Sequence, residues 1–206
     1  GHMPNPTRWW LVRHAPVINP SGAIYGQGDI DCDVTDSRVF TAVANILPTD
    51  AIWLQSPLMR TRKTAAALRE AGAVGPEPID EPRLMEQHFG DWQGGDRGAI
   101  RARHPEAYRR FWLAPADERA PNGESFVDVV ERVTEALDDW SAKASGRDIV
   151  AVVHGGPIRA ALAHALALAP ARALSFHAET VSVTRVDLYP DGQSAVVFVN
   201  ATPWRF

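Results

Sequence analysis

Three short, unbroken apolar runs set what this chain can fold into: Trp9-Trp10-Leu11-Val12, the run from Ala51 to Leu54, and Ile149-Val150-Ala151-Val152-Val153. A strand with no polar alternation is buried on both faces, and each run here is followed by a segment with helical spacing. That alternation predicts an α/β fold, a three-layer α/β/α sandwich with a mostly parallel central sheet. Helices are expected over Asp36 to Leu47, over Arg60 to Ala71 with Gly72 closing it, and from Phe126 onward. In the last, Val129, Val130, Val133, Leu137 and Trp140 recur at three- and four-residue steps. Asp138 and Asp139 oppose the dipole near its end and leave that boundary loose. Val181 to Leu188 and Ala195 to Val199 read as strands joined by a hairpin at Asp191-Gly192.

With 206 residues and 45% hydrophobic content, one domain over residues 4–206 is expected, Gly1-His2-Met3 reading as a cloning remnant. The segment 90–122 holds Pro105, Pro115 and Pro121 among short helical pieces and is expected to be a lid-like insertion without a core of its own. A net charge of −4 with scattered arginines argues against a nucleic-acid partner. The single Cys32 allows no intramolecular disulfide and agrees with a cytoplasmic location. The most apolar helical stretch, Ala160 to Leu168, contains His164 and is too short to span a membrane core of roughly 30 Å. An edge strand near Val196 to Val199 offers a way to form a homodimer.

Two of the apolar runs end in histidine. Arg13-His14 follows the first and His154-Gly155-Gly156 follows the third, and open α/β folds gather their ligands at the carboxyl ends of strands. The second run leads into Ser56-Pro57-Leu58-Met59-Arg60, where Ser56 suits a helix cap, Pro57 a first turn, and Arg60 projects from the start of the helix. A fourth segment, Leu84 to Trp92, places the carboxylate of Glu86 beside aromatics. Each has a plain structural reading. Arg13-His14 can simply begin a solvated loop, Arg60 can be an exposed helix residue, and His88 is expected to face solvent. Trp9, Trp10 and Trp92 read as core or pocket wall.

Together these segments resemble the histidine phosphatase superfamily, in its phosphoglycerate-mutase-like branch. The family pattern is Arg-His-Gly, Ser-Pro-x-x-Arg, a mid-chain Glu before Phe-Gly-x-Trp, and a late His-Gly. It falls here on Arg13-His14, on Ser56-Pro57 with Arg60, on Glu86 with Phe89-Gly90 and Trp92, and on His154-Gly155. Asn122-Gly123-Glu124-Ser125 is similar to a further family segment, Gly-Gly-Glu-Ser. The resemblance implies that His14 is the nucleophile and Glu86 the general acid. It implies a phosphatase acting on a small phosphorylated metabolite.

Chemistry supports the same assignment. Phosphate monoesters hydrolyse extremely slowly unaided, so a catalyst must stabilise charge on the phosphoryl oxygens and help the alkoxide leave. Arg13 and Arg60 are expected to offer planar forks to those oxygens. A neutral His14 divides one hard displacement into two through phosphohistidine. His154, protonated when phosphate is bound, and the N–H groups at Gly155 complete the anion pocket. Glu86 is expected to protonate the leaving oxygen, helped by burial near Phe89 or by the incoming dianion.

Two positions depart from the family pattern. Ala15 stands where glycine is usual, a change that matters only if the backbone there needs positive φ. The family's loop asparagine falls on Pro20, with Asn19 one residue early, so its phosphate contact is not carried over. The stretch from Pro16 to Asp29, with Val17, Gly22, Tyr25-Gly26-Gln27 and Asp29, resembles the loop of α-ribazole phosphatases of cobalamin assembly. Tyr25 and Gln27 are therefore candidate substrate contacts, Tyr25 equally a loop anchor. Asp29, Asp31 and Asp33 imitate a calcium loop, but Val34 occupies the turn-glycine position and Phe40 that of the bidentate Glu. Gly26-Gln27-Gly28 lacks the third glycine of a dinucleotide fingerprint. Neither metal nor cofactor is expected. The reading is a metal-independent phosphomonoesterase, with α-ribazole 5'-phosphate as one substrate. Its rivals are a phosphoglycerate mutase, disfavoured by the short chain, and a silent phospho-ligand binding protein, which would need neither His14 nor Glu86.

Overall fold

The computed structural model describes residues 4–205, so Gly1-His2-Met3 and the terminal Phe206 lie outside the described residues. In chain order, β1 (Thr7–Arg13) leads to α1 (Ser37–Ile46), β2 (Ala51–Gln55), α2 (Met59–Glu70) and the two-residue β3 (Ile79–Asp80). The next stretch carries α3 (Arg97–Arg103) and α4 (Pro105–Leu113). After it come α5 (Phe126–Lys143), β4 (Asp148–Val153), α6 (Gly155–Leu166), the single-turn α7 (Pro170–Ala173), β5 (Val183–Leu188) and β6 (Ser194–Ala201).

The six strands form one sheet in the order β3-β2-β4-β1-β5-β6. β4 pairs in parallel with both β1 and β2, and β2 with β3, whereas β5 is antiparallel to β1 and β6. β5 is thus the one reversed strand in an otherwise parallel sheet. Register then brings three distant segments level. Arg13 lies opposite Val153 and Gln55 opposite Val152. His14 N–H donates to Val153 O at 3.0 Å and Ser56 N–H to Val152 O at 3.2 Å. His14, Ser56 and His154 therefore leave adjacent strands at one edge.

Strand alternation builds the layers. Trp9, Leu11, Ile149, Ala151 and Val153 pack against α5 and α6, while Val12, Trp53, Val150 and Val152 pack against α1 and α2. Both faces are dry, which is why these runs carry no polar alternation. The N-terminus of α5 is held by a capping box between Ser125 and Asp128. The helix continues past its two unfavourably placed aspartates to Lys143 because each meets a cation or imidazole from outside: Asp139 bonds Arg83, and Asp138 lies 3.2 Å from His164 Nε2.

Three expectations need correction. β5 begins at Val183 rather than Val181, because Val181 takes a left-handed φ of 63° and its N–H donates to Arg13 O at 2.9 Å. The cap position of α2 belongs to Leu58 rather than Ser56, with no side-chain cap bond; the Ser56 hydroxyl, just outside the helix, accepts the Leu58 N–H at 3.4 Å and also meets His154 Nε2. The segment 90–122 does possess a small core, in which Trp92, Ile100, Phe111 and Ala120 cluster with Ile24 from the first loop. Gly90 anchors that segment with φ 53°, where a Cβ would collide with Pro121 O. β6 is an edge strand with Val197 exposed. Among the described residues no helix is long and apolar enough to cross a membrane.

Candidate active site

His14 is buried directly after β1. Its Nδ1 lies 2.7 Å from Ala15 O, and a carbonyl can only accept, so the ring proton sits on Nδ1 and the lone pair on Nε2. Burial, reinforced by the charges of Arg60 and Arg13, pushes His14 down to about 3, and the ring is neutral at pH 7. Ala15 is buried in the core with its N–H donating to Thr64 Oγ1 at 2.8 Å. It is not among the residues with positive φ, so alanine in place of the usual glycine carries no backbone strain.

Arg60 sits in the first turn of α2, completely buried. Its two terminal nitrogens donate to Gly28 O and Gly26 O, each at 2.6 Å, and its guanidinium lies 4.9 Å from the centre of the Tyr25 ring. A desolvated guanidinium needs acceptors, and the loop supplies two carbonyls, which leaves Nε and one N–H on each terminal nitrogen for a further acceptor. Arg13 donates through Nη1 to Ala178 O at 2.6 Å. What remains of both groups is informative. Arg13 Nε, Arg60 Nε and His154 Nδ1 are buried and lack a hydrogen-bond partner among the described residues.

His154 closes β4 and immediately precedes α6, so the first backbone N–H groups of that helix open beside it. Its Nε2 lies 2.8 Å from Ser56 Oγ, and its ring centroid 5.1 Å from that of His14. Complete burial, followed by the proximity of His14, Arg60, Arg132 and Arg13, holds His154 well below the usual imidazole range. Gly155 packs next to the Arg13 guanidinium, and Gly156 N–H donates to Glu86 Oε2 at 3.4 Å. A Cβ on Gly156 would strike Glu86 Oε1, so glycine is required for the carboxylate to reach the helix.

Glu86 is half-buried, its Oε1 accepting from Gln87 N–H at 2.9 Å. Its backbone is held from two sides. Gln27, a candidate substrate contact, donates its side-chain amide to Glu86 O at 3.0 Å. Arg132 from α5 donates to the carbonyls of Arg83, Met85 and Glu86 at 2.7 to 2.9 Å while pairing with Glu124. Glu124 in turn accepts from His88 N–H, and His88 is half-buried, its Nδ1 accepting from Gly90 N–H. Arg132, Thr64 and the Ser56 contact to His154 escaped the sequence reading. Only Glu124, through its Asn-Gly-Glu-Ser segment, signalled that network.

Next to Glu86 and Gly156 lies a cavity of about 200 Å³ walled by Tyr25, Phe89, Trp92 and Phe126, with Arg159 also on its lining. Among the described residues, no group of three or more His, Cys, Asp or Glu side chains is placed to share an ion.

The family model for the histidine phosphatase superfamily (branch 1) matches residues 9–201. A bifunctional protein of Mycobacterium tuberculosis is 31% identical over 206 residues, 98% of this chain but 56% of its own length, so the chain spans about half of such relatives. Glucosyl-3-phosphoglycerate phosphatase of Mycolicibacterium vanbaalenii is 37% identical over 170 residues, covering 77% of this chain and 73% of that protein. The metal-independent phosphoserine phosphatase of Arabidopsis thaliana is 33% identical over 73% of this chain and 65% of its own. Among solved structures, mycobacterial glucosyl-3-phosphoglycerate phosphatase superposes with a TM-score of 0.81 at 27% identity, over 96% of this chain and 100% of that one. A putative α-ribazole-5'-P phosphatase of Escherichia coli does so at 0.84 and 20%, over 96% and 98%, a likeness of fold. The motif order, the paired histidines at one sheet edge and the family match over nearly the whole chain converge: the chain belongs to branch 1 of the histidine phosphatase superfamily.

Proposed function

We propose that this chain is a metal-independent phosphomonoesterase that works through phosphohistidine on a small phosphorylated metabolite. The observation that carries this is the state of His14: buried, neutral, with its proton fixed at Nδ1 and its Nε2 lone pair free, beside the unpartnered Arg13 Nε, Arg60 Nε and His154 Nδ1. Nε2 attacks phosphorus as the bond to the leaving oxygen breaks, and that oxygen takes the Glu86 carboxyl proton. Water then attacks the phosphohistidine and gives a proton to the Glu86 carboxylate. The N–P bond breaks, its electron pair returns to Nε2, and inorganic phosphate leaves. The dianion brings the negative charge that favours a proton on His154, whose neutrality otherwise follows from burial.

Phosphatase-named relatives support hydrolysis rather than transfer. The substrate panel comprises phosphoserine and glucosyl-3-phosphoglycerate, taken from the names of those relatives, and α-ribazole 5'-phosphate, taken from the loop around Tyr25. The first assay is p-nitrophenyl phosphate with EDTA present. Turnover that is abolished in His14→Ala is expected; absence of turnover in the wild type sinks the reading, and sensitivity to EDTA sinks its metal independence.

A further inference from the structure

Arg159, which neither the family pattern nor the sequence reading singled out, lies one turn into α6. Its Nε donates to Phe176 O at 2.8 Å, which fixes the side chain while neither terminal nitrogen has a hydrogen-bond partner among the described residues. It lines the cavity that Glu86 also lines, the side on which a leaving group must sit to receive the Glu86 proton. It also flanks the phosphoryl site: a Cβ on Gly155 would stand 3.4 Å from Arg159 Nη1 and 3.7 Å from Arg13 Cζ.

Charge counting decides what such a residue is for. Arg8, Arg83 and Arg132 each pair with a carboxylate, but Arg13, Arg60 and Arg159 form no ion pair among the described residues. His14 is neutral, and a proton drawn onto His154 by the dianion adds positive charge rather than removing it. A phosphoryl dianion offsets two guanidinium charges. Glu86, the carboxylate on the cavity lining, must carry a proton when it acts as acid, so positive charge remains unbalanced there. The cavity walls at Phe89, Trp92, Phe126 and Leu174 are apolar and supply no anion; Arg97, also on the lining, is exposed and stacks on Trp112, whereas Arg159 is half-buried beside Glu86. A guanidinium with two free donors in such a setting matches a carboxylate bidentately.

We propose that Arg159 is a specificity-determining residue that binds a carboxylate on the leaving alcohol, so that the preferred substrates are phosphomonoesters of hydroxy acids. This rests on the phosphomonoesterase reading and refines it. The test uses 3-phosphoglycerate and glycerol 3-phosphate, which differ only in carrying a carboxylate or a hydroxymethyl group, with p-nitrophenyl phosphate as the uncharged-leaving-group reference. The wild type is expected to favour 3-phosphoglycerate at least tenfold in kcat/KM. Arg159→Met brings that ratio near unity, and Arg159→Lys restores part of the preference. Absence of a preference in the wild type, or equal loss on all three substrates in Arg159→Met, overturns the proposal. Binding keeps the two readings separate. In His14→Ala, calorimetry should show tighter binding of 3-phosphoglycerate than of glycerol 3-phosphate, a difference removed by adding Arg159→Met. If binding shows no such difference, the assignment of Arg159 fails; if only turnover is absent, the phosphatase reading fails.

Discussion

The Nε2 of His154 lies 2.8 Å from the hydroxyl of Ser56, linking the ends of two neighbouring parallel strands beside His14. Among the described residues His154 Nδ1 has no such partner, so the hydroxyl holds the ring from one side only. Ser56→Ala removes that hold without altering charge. A fall of about tenfold in kcat on p-nitrophenyl phosphate is expected, one hydrogen bond's worth. Unchanged kcat in a correctly folded variant argues that the contact is incidental.

Thr64 Oγ1 accepts the N–H of Ala15, inside the core. Thr64→Val keeps the shape and removes the acceptor, leaving a buried donor unmatched at a cost of about 1–3 kcal/mol. Urea unfolding reads this directly. Ala15→Gly is expected to leave activity intact and lower stability by about 1 kcal/mol, since the residue needs no positive φ and its methyl is buried. A gain in activity from Ala15→Gly contradicts this.

Arg132 holds the carbonyl of Glu86 and those of Arg83 and Met85. Arg132→Met frees the segment that aims the acid. Rates on phenyl phosphate, a poor leaving group, should drop about tenfold more than on p-nitrophenyl phosphate, because only the former depends strongly on proton donation. Glu86→Gln shows the same pattern more steeply, and a uniform loss in either variant counts against an acid at this position.

Acid sensitivity follows from the two histidines. Burial holds His14 at about 3 and His154 well below its ordinary value, so between there and the unfolded value near 6.5 the unfolded chain binds more protons. Stability then rises with pH across that window, is fully present above about 6.5, and is lost as pH falls toward about 3. Each histidine contributes a slope of about 1.4 kcal/mol per pH unit at most. His14→Asn should flatten the dependence measured between pH 5 and 6.5, and an unchanged slope places the titration elsewhere.

The strand–helix alternation and the residues at the strand ends were legible because both are local. Trp9 to Val12 and Ile149 to Val153 show their double-sided burial by having no polar alternation, and His14, Glu86 and His154 stand in a recognisable order. The start of β5 was missed because no propensity rule places a β-branched Val181 at φ 63°. The start of α2 was placed too early because Ser56 still accepts the Leu58 N–H, as a cap would, while the helix itself begins only at Met59; the second partner of that hydroxyl, His154, is almost a hundred residues away in sequence. The core under residues 90–122 was underestimated because it borrows Ile24 from another loop.

By itself the sequence determined the α/β architecture, because hydrophobic periodicity is written residue by residue, and the order of His14, Glu86 and His154 that carries the family resemblance. Tertiary structure alone decided how those groups are held. It gave His14 its tautomer through Ala15 O, turned both terminal nitrogens of Arg60 onto Gly26 and Gly28, and set Arg132 behind Glu86. It also set Arg159 on the lining of the cavity beside Glu86, with no ion pair among the described residues. The acceptors in the first three are backbone carbonyls, every residue has one, and only the folded chain decides which of them a buried donor will meet.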